Sequence, residues 1–387
     1  MLNFGLTEEQ EMLRREVRAF AEKEIAPQAK KLDDEERFSV ELVRRMAELG
    51  LFGVFVSKEY GGAEMDYLSY IVAVEELARC DASHAATVAA GNSLGIGPLY
   101  YFGNEEQKRR WLPKLCRGES LAAFGLTEPG AGSDAGASRT TAVRDGDDWV
   151  INGQKIFITN AATPISDVCI VQAVSGKKPD GRPELSCFLV PSDSRGFVQK
   201  PMHQKMMWRA SATAELYFDD CRVPATSMLG KRGEGMRQMM STLDRGRLSI
   251  AAMALGGAQG AFDLAMTYGM ERRQFGRPVA NFQVNAFKLA DAATRIDAAR
   301  LLLYRACWLC DEHRPFSREA AMAKLYASEV FRDVAHDAQQ LHGGYGLMKE
   351  YAIERFFRDE RILEVGEGTS EILHLVIARH LGLDPVM

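Results

Sequence analysis

Cysteine is sparse and unpatterned in this 387-residue sequence: there are seven, an odd number, at no framework spacing. That excludes a disulfide-stapled scaffold and fits reduced thiols in a reducing compartment. Cys307 and Cys310 form a CxxC, but "RLLLYRACWLCDEH" is a continuous helical pattern with no second ligand pair, so both are read as helix packing. No run of 18 or more apolar residues suggests a membrane span. The opening "MLNFGLTEEQEMLRREVRAF" turns acidic at once, without an apolar core or an Arg-rich, acid-poor transit pattern, and the expected location is cytoplasmic. Positive charge is not in excess: 48 Lys and Arg face 53 Asp and Glu, net −5, which argues against a nucleic-acid binder. Short-period repeats and low-complexity segments are missing too.

What is present is an ordinary globular composition, 46% hydrophobic and 26% charged, in a chain long enough for two or three domains. Up to about residue 120 the pattern is helical. "TEEQEMLRREVRAFAEKEIAP" opens with Thr7 and Gln10 in capping-box positions and is expected to stop before Pro27. "SVELVRRMAELGL" and "SYIVAVEELARCD" follow, then "EEQKRRWLPKLCRG", where Pro113 predicts a kink or break. Between residues 121 and 235 the pattern becomes β-like. "DDWVINGQKIFITN" reads as a hairpin turning at Asn152-Gly153. "TAELYFDDCRVP" alternates Ala214, Leu216 and Phe218 with Glu215, Tyr217 and Asp219. From residue 236 to 387 long helices return. In "NAFKLADAATRIDAARLLLYRACW", Leu289, Ala293, Ile296 and Leu303 share the apolar face. The expected class is α+β: an N-terminal helical domain (1–120), a middle β-barrel or sandwich domain (121–235) and a C-terminal helical bundle (236–387).

Two stretches carry chemistry. In "FGLTEPGAGSDAG", residues 124–136, Pro129, Gly130 and Gly132 exclude regular helix or inner strand. The result is a loop whose free amides suit phosphate or carbonyl oxygens. "VGEGTSE", residues 365–371, places Glu367 between two glycines just before a helix. On its own this acid has two readings: a residue placed to favour the positive end of a helix, or a base that flexible backbone brings up to a ligand.

The string "LTEPGAGSD" resembles the flavin loop of acyl-CoA dehydrogenases. "KIFITN" (155–160), "ERRQFGRP" (271–278), "LHGGYG" (341–346) and "GEGTSEI" (366–372) match further signatures of that family in order, from about Leu6 to Leu383. The resemblance implies noncovalent FAD and oxidation of acyl-CoA thioesters to trans-2-enoyl-CoA, with the α-proton taken by a base and the β-hydrogen passing as hydride to flavin N5. It assigns FAD contacts to Phe124, Leu126, Thr127, Ser133, Phe157, Ile158 and Thr159. It implies that a neighbouring subunit completes the adenine-diphosphate end with Arg272, Phe275, Gln340, Leu341, His342, Gly343 and Gly344, in a homotetramer, and it assigns additional flavin-side contacts to Phe282 and Gln283. Thr369 and Glu371 match further FAD contacts. Ser133, Asp244, Arg247, Gly368 and Arg379 match substrate-side positions. Glu367 matches the catalytic base of short- and medium-chain members. The alternative position used by some relatives is here Gly246, which cannot act as a base.

The resemblance further implies an electron-transfer flavoprotein as acceptor, with a related flavin oxidase or enoyl-CoA reductase as the alternative activity. Gly366 replaces a bulky tyrosine common before the base, which widens the acyl cavity and points to a branched or cyclic acyl group unless another side chain fills the space. Met206-Met207-Trp208 departs from the family pattern and reads locally as a surface loop packed on itself.

Overall fold

The computed structural model describes residues 5–385. Helix α1 (Glu8–Phe20) starts with Thr7 Oγ1 accepting from the Gln10 N–H while the Gln10 side chain returns to the Thr7 N–H. The chain does not stop before Pro27. A π-helical turn (Ala21–Ile25) leads straight into α2 (Ala26–Asp34), whose first turn tolerates Pro27 because a residue at that position needs no N–H to donate. Then come α3 (Val40–Glu48), α4 (Tyr67–Cys80) and α5 (Ala82–Ala90), which continues as a π-helical stretch (Gly91–Ile96) into α6 (Gly97–Phe102). Helix α7 (Glu105–Cys116) runs through Pro113, so that proline does not end it.

The middle of the chain forms one eight-stranded sheet. Its strands are β1 (Leu121–Gly125), β2 (Thr141–Asp145), β3 (Asp148–Thr159), β4 (Ser166–Lys177), β5 (Pro183–Pro191), β6 (Phe197–Pro201), β7 (Thr213–Pro224) and β8 (Met228–Leu229). The order is β6-β7-β3-β2-β4-β5-β8, with β1 parallel to β4. The hairpin turn lies at Gly146-Asp147, between β2 and β3, and not at Asn152-Gly153. Gly153 instead sits at an irregularity in the β3–β7 pairing, with φ +141° and Thr140 packed where a Cβ would be. A side chain there would displace β2's approach, which is the reason for glycine. One face of the sheet has its own core around Trp149, Ile151, Phe188 and Leu216. From the other face Val168, Ile170 and Leu189 join the helical core.

Helix α8 (Gly235–Glu271) is the central rod, packed on α4, α9 (Gln283–Asp311) and α10 (Ser317–His342). A two-stranded ribbon, β9 (Arg273–Gln274) and β10 (Arg277–Pro278), separates α8 from α9. Glycines make the close packing possible: a Cβ at Gly256 would overlap the Glu75 carbonyl, and one at Gly257 would stand 2.5 Å from the Phe331 ring. By length and mean hydropathy (1.2) α8 could cross a membrane, a point hidden by its interspersed polar residues, but 78% of that segment is buried in the fold as a core helix. In α9 the buried face is Ala292, Ile296, Ala299 and Leu303, and Ala293 is exposed. Cys307 and Cys310 are buried on the same helix, and burial pushes the Cys310 thiol up to about 12. Helix α11 (Ile353–Asp359), a 3-10 turn (Glu360–Glu364) and α12 (Ser370–His380) complete the chain.

Candidate active site

Glu367 lies in the short loop between the 3-10 turn and α12, with φ +54°, and Gly368 follows at φ +108°. Left-handed backbone at a glutamate costs free energy, so the surroundings must hold it there. Thr369 caps α12 through Oγ1, which accepts from the Ile372 N–H at 3.4 Å. The Glu367 side chain reaches back over α8 to Gly246, where a Cβ would overlap Oε2 and stand 2.8 Å from Cδ. The glycine is thus the seat of the carboxyl group. Oε2 is buried and has no hydrogen-bond partner among the described residues. Burial, opposed by the positive charges of Lys324 and Arg247, pushes the carboxyl up to about 7. An acid that loses its proton near neutrality, with an unengaged oxygen, is equipped to take a proton from carbon.

Arg247 is buried beside it, with Nη1 donating to Asp244 Oδ1 at 2.7 Å, and Asp244 also accepts from Ser317 Oγ at 2.9 Å. Three of the residues expected on the substrate side, Asp244, Arg247 and Gly368, therefore gather around the Glu367 carboxyl. Arg379 does not join them. Helix α12 carries it about 14 Å along the axis from Ser370, at about 1.5 Å of rise per residue, to an exposed last turn. Glu371 is exposed in the first turn of the same helix.

The Gly-rich loop leaves β1 at Phe124, and a buried ion pair braces it. Lys155 Nζ donates to Glu128 Oε1 at 2.8 Å, to the Leu126 carbonyl at 3.1 Å and to Ser138 Oγ at 3.2 Å. Glu128 also accepts from Ser138 Oγ and from the Arg139 and Thr140 amides, and despite burial these donors hold its carboxyl down to about 2. The Thr127 carbonyl accepts from the Ile156 N–H at 2.9 Å. Ser133, Gly130 and Gly132 lie on the open side of the loop, where a Cβ on either glycine would meet nothing within 4 Å. Phe157 turns out of β3 at φ +62° and is 62% exposed, while Ile158 points into the sheet's own core, so its backbone alone faces the loop side. Thr159 ends the strand.

The two loops meet around α5 and its π-helical continuation. Asn160 Nδ2, one residue past Thr159, donates to the Thr87 carbonyl at 3.0 Å. Ala122 of β1 packs where Gly95 lacks a Cβ. Ser249, one turn past Gly246 on α8, touches Ser93 at 3.4 Å. Tyr67 and Tyr70 of α4 fasten that helix to α8 and α5: the Tyr67 hydroxyl donates to the Arg245 carbonyl at 3.1 Å, and Tyr70, fully buried, donates to the Ala89 carbonyl at 2.8 Å. The space left by Gly366 is bordered by Ile362, whose carbonyl oxygen is 3.4 Å and side chain 3.8 Å from where a Cβ would be.

A separate cleft of about 450 Å³ opens at the far end of α8 and collects Arg272, Leu341, His342, Gly343 and Gly344. The His342 ring is buried, stacked on Tyr268 at 4.3 Å with Nδ1 against the Ala338 carbonyl, so it shapes the cleft and contacts nothing outside it through Nδ1. Gln340 and Gln283 are exposed nearby on α10 and α9, and Phe275, 91% exposed, meets Phe282 edge-on at 6.1 Å. From Gly246 to this cleft runs roughly 38 Å of helix.

Sequence reasoning missed Lys155, Glu128 and Lys324. Lys324 carried a signal: it lies on the stripe Ala320, Lys324, Ala327, Phe331 that α10 buries, a place where an unpaired lysine is rare. Met206-Met207-Trp208 packs partly on itself, with Lys205 Nζ donating to the Trp208 carbonyl at 2.9 Å, and is also tied to elements beyond the loop. Glu36 accepts from the Gln204 N–H at 2.7 Å, Arg358 donates to the Met206 carbonyl at 2.8 Å and Asp359 accepts from the Trp208 N–H at 2.8 Å, so the segment ties α2 to α11.

Loop, buried carboxyl and helix–sheet–helix order define a family. Sequence models described as acyl-CoA dehydrogenase N-terminal, middle and C-terminal domains match residues 7–119, 123–221 and 233–382. The chain belongs to the acyl-CoA dehydrogenase family and is an oxidoreductase. It is 50% identical over 380 residues to the probable acyl-CoA dehydrogenase YngJ of Bacillus subtilis (strain 168), covering 98% of this chain and 100% of that one. It is 46% identical over 377 residues to the short-chain specific acyl-CoA dehydrogenase of Clostridium acetobutylicum, covering 97% and 99%. Among solved structures it is similar to butyryl-CoA dehydrogenase from Megasphaera elsdenii, at TM-score 0.95 and 40% identity over 99% and 100% of the two chains. It is also similar to glutaryl-CoA dehydrogenase from Mycobacterium smegmatis in complex with FADH2, at TM-score 0.93 and 31% identity over 99% and 97%. These likenesses make it an acyl-CoA dehydrogenase of the short-chain type.

Proposed function

We propose that the protein oxidises a short-chain acyl-CoA to its trans-2-enoyl-CoA, with Glu367 as the base that takes the α-proton. The observation that carries this reading is the Glu367 carboxyl itself: seated on bare Gly246, with Oε2 buried and unengaged among the described residues, and pushed up to about 7. The α C–H bond breaks toward Oε2, the proton stays on the carboxyl, and the β C–H bond breaks with its electron pair leaving as hydride. The Glu367 N–H, in a loop held open by Gly366 and Gly368, is the donor suited to the thioester oxygen, where charge builds as the α-proton leaves.

The residues present suit FAD. Gly130 and Gly132 leave the loop amides open, Phe157 offers an exposed ring face beside Thr159, and the Gly343-Gly344 backbone with Arg272 suits a pyrophosphate. FAD, when bound, supplies the acceptor for the hydride. Because the cleft of Arg272 lies so far along α8 from the base, it serves the cofactor of a neighbouring subunit. The stripe of exposed Val284, Phe287, Leu301 and Trp308 on α9 is an apolar surface for that neighbour, in a homotetramer. An electron-transfer flavoprotein would reoxidise the enzyme.

The test is an anaerobic titration of the yellow protein with straight, branched, cyclic and dicarboxylic acyl-CoAs, following the visible flavin band. Rapid bleaching by butyryl-CoA-sized substrates is expected. Glu367→Gln should keep its flavin and lose turnover by about a thousandfold or more. Turnover near the parent's would remove Glu367 as the base, and a flavoprotein bleached by none of the panel would favour an oxidase or reductase.

A further inference from the structure

We propose that Lys324 is a positioning residue for the base, tethering the Glu367–Gly368 loop through its ammonium and holding a positive charge against the carboxylate. The proposal rests on the reading of Glu367 as the base. Lys324 is entirely buried on α10, and its Nζ donates to the Gly368 carbonyl at 2.7 Å. That carbonyl belongs to the residue immediately following Glu367, so the bond anchors the end of the two-residue stretch whose φ angles, +54° and +108°, put the side chain over Gly246. Nothing in the local sequence would hold a glutamate in left-handed backbone, and a buried donor on a rigid helix does so.

Arg332 strengthens the arrangement. It lies eight residues further along α10, on the same helical face, and its Nη1 donates to Glu364 Oε1 at 2.6 Å. Glu364 also pairs with Arg361 on its own turn. Helix α10 therefore grips the base loop at two points, one before Glu367 and one after it. Between them Ser328 turns its hydroxyl back to the Lys324 carbonyl at 2.8 Å and leaves the face clear.

The charges around the base are few. Lys324 from α10 and Arg247 from α8 face the Glu367 carboxyl, and Tyr70 from α4 faces it as a neutral phenol. Lys324 itself faces Glu367, Arg247, and the more distant carboxyls Glu364 and Glu371. Arg247 is engaged by Asp244, whereas among the described residues no carboxylate lies within ion-pair distance of Lys324. Its charge is thus free to act on Glu367. Both cations favour the ionised carboxyl against the burial that disfavours it. A bare apolar pocket would hold the proton too tightly for a base that must release it at neutral pH. Burial pulls Lys324 down to about 8, so it stays cationic where the base works.

The experiment is the pH profile of kcat/KM for the flavin-loaded Lys324→Met variant. Loss of the cation makes the Glu367 carboxyl harder to ionise, so the acid limb should move up by about one pH unit. Loss of the tether should lower kcat on the plateau about tenfold or more. Flavin content and melting temperature show whether the variant is folded. If Lys324→Met does not fold, Lys324→Gln, which keeps an N–H donor and lacks the charge, carries the same measurement. An acid limb that stays at the parent's position in a folded, flavin-bearing variant overturns the proposal, because a merely structural lysine would lower rate or stability without moving it. Glu367→Gln is measured alongside: if it turns over like the parent, the reading of the base fails, a result distinct from an unmoved limb.

Discussion

Glu367→Gln should make the folded enzyme more stable than the parent at pH 8, and much less so at pH 5. Burial holds the carboxyl near 7 against an ordinary 4.5, and that value already includes the attraction of Lys324 and Arg247. Below about pH 4.5 the carboxyl is protonated in both folded and unfolded chains and carries no penalty. As pH rises from there, the unfolded chain ionises while the folded one keeps its proton, so stability falls until about pH 7 and then levels off. The gap corresponds to about 3 kcal/mol at pH 8. Glutamine imitates the protonated acid at every pH and escapes this loss. Melting curves of parent and variant, matched in flavin content, read the difference. A gain of about 5 °C at pH 8 that shrinks to about a degree at pH 5 is expected. An equal change at both pH values, or a loss at pH 8, would show that the carboxyl is not held protonated by its surroundings. The argument that makes Glu367 a base near neutrality would then fail with it.

Other outcomes follow from the same geometry. Lys155→Met leaves Glu128 buried without its cation, and should cost about 3 kcal/mol of stability or more and loosen flavin retention on dialysis while Glu367 stays in place. Gly246→Leu puts a branched side chain where the Glu367 carboxyl sits; kcat should drop about a hundredfold with little change in melting temperature, since the group displaced is the end of a side chain. Arg272→Ala should weaken FAD binding, and mixing it with Glu367→Gln should restore activity to hybrid oligomers, which gel filtration and flavin absorbance can follow.

Helical and β segments were readable because their periodicities differ, and the misreadings were local. Asn152-Gly153 has the composition of a hairpin turn, but β3 runs on through it because β2 and β7 flank it on both sides. Pro113 carries a helix breaker's chemistry, yet α7 runs through it, with Trp111, Leu112, Leu115 and Cys116 buried around it. Pro27 looked like a stop and is a first-turn residue after a π-helical stretch.

The family signatures, the Gly-rich loop and Glu367 between two glycines are properties of contiguous residues, and the sequence by itself determined them. It also determined that Gly246 cannot be the base. What tertiary structure decided is everything that depends on distance across the chain. Gly246 and Glu367 are far apart in sequence, and only the packing of α8 against the base loop makes the first the seat of the second. The value of about 7 for the carboxyl arises from desolvation, which is not a property of any motif. Lys324 stands out in sequence only as a lysine on an apolar helix stripe; its partner, the Gly368 carbonyl, exists only once α10 is folded onto the loop. Motifs name the reacting groups; burial and long-range contact set their pose and their proton affinity.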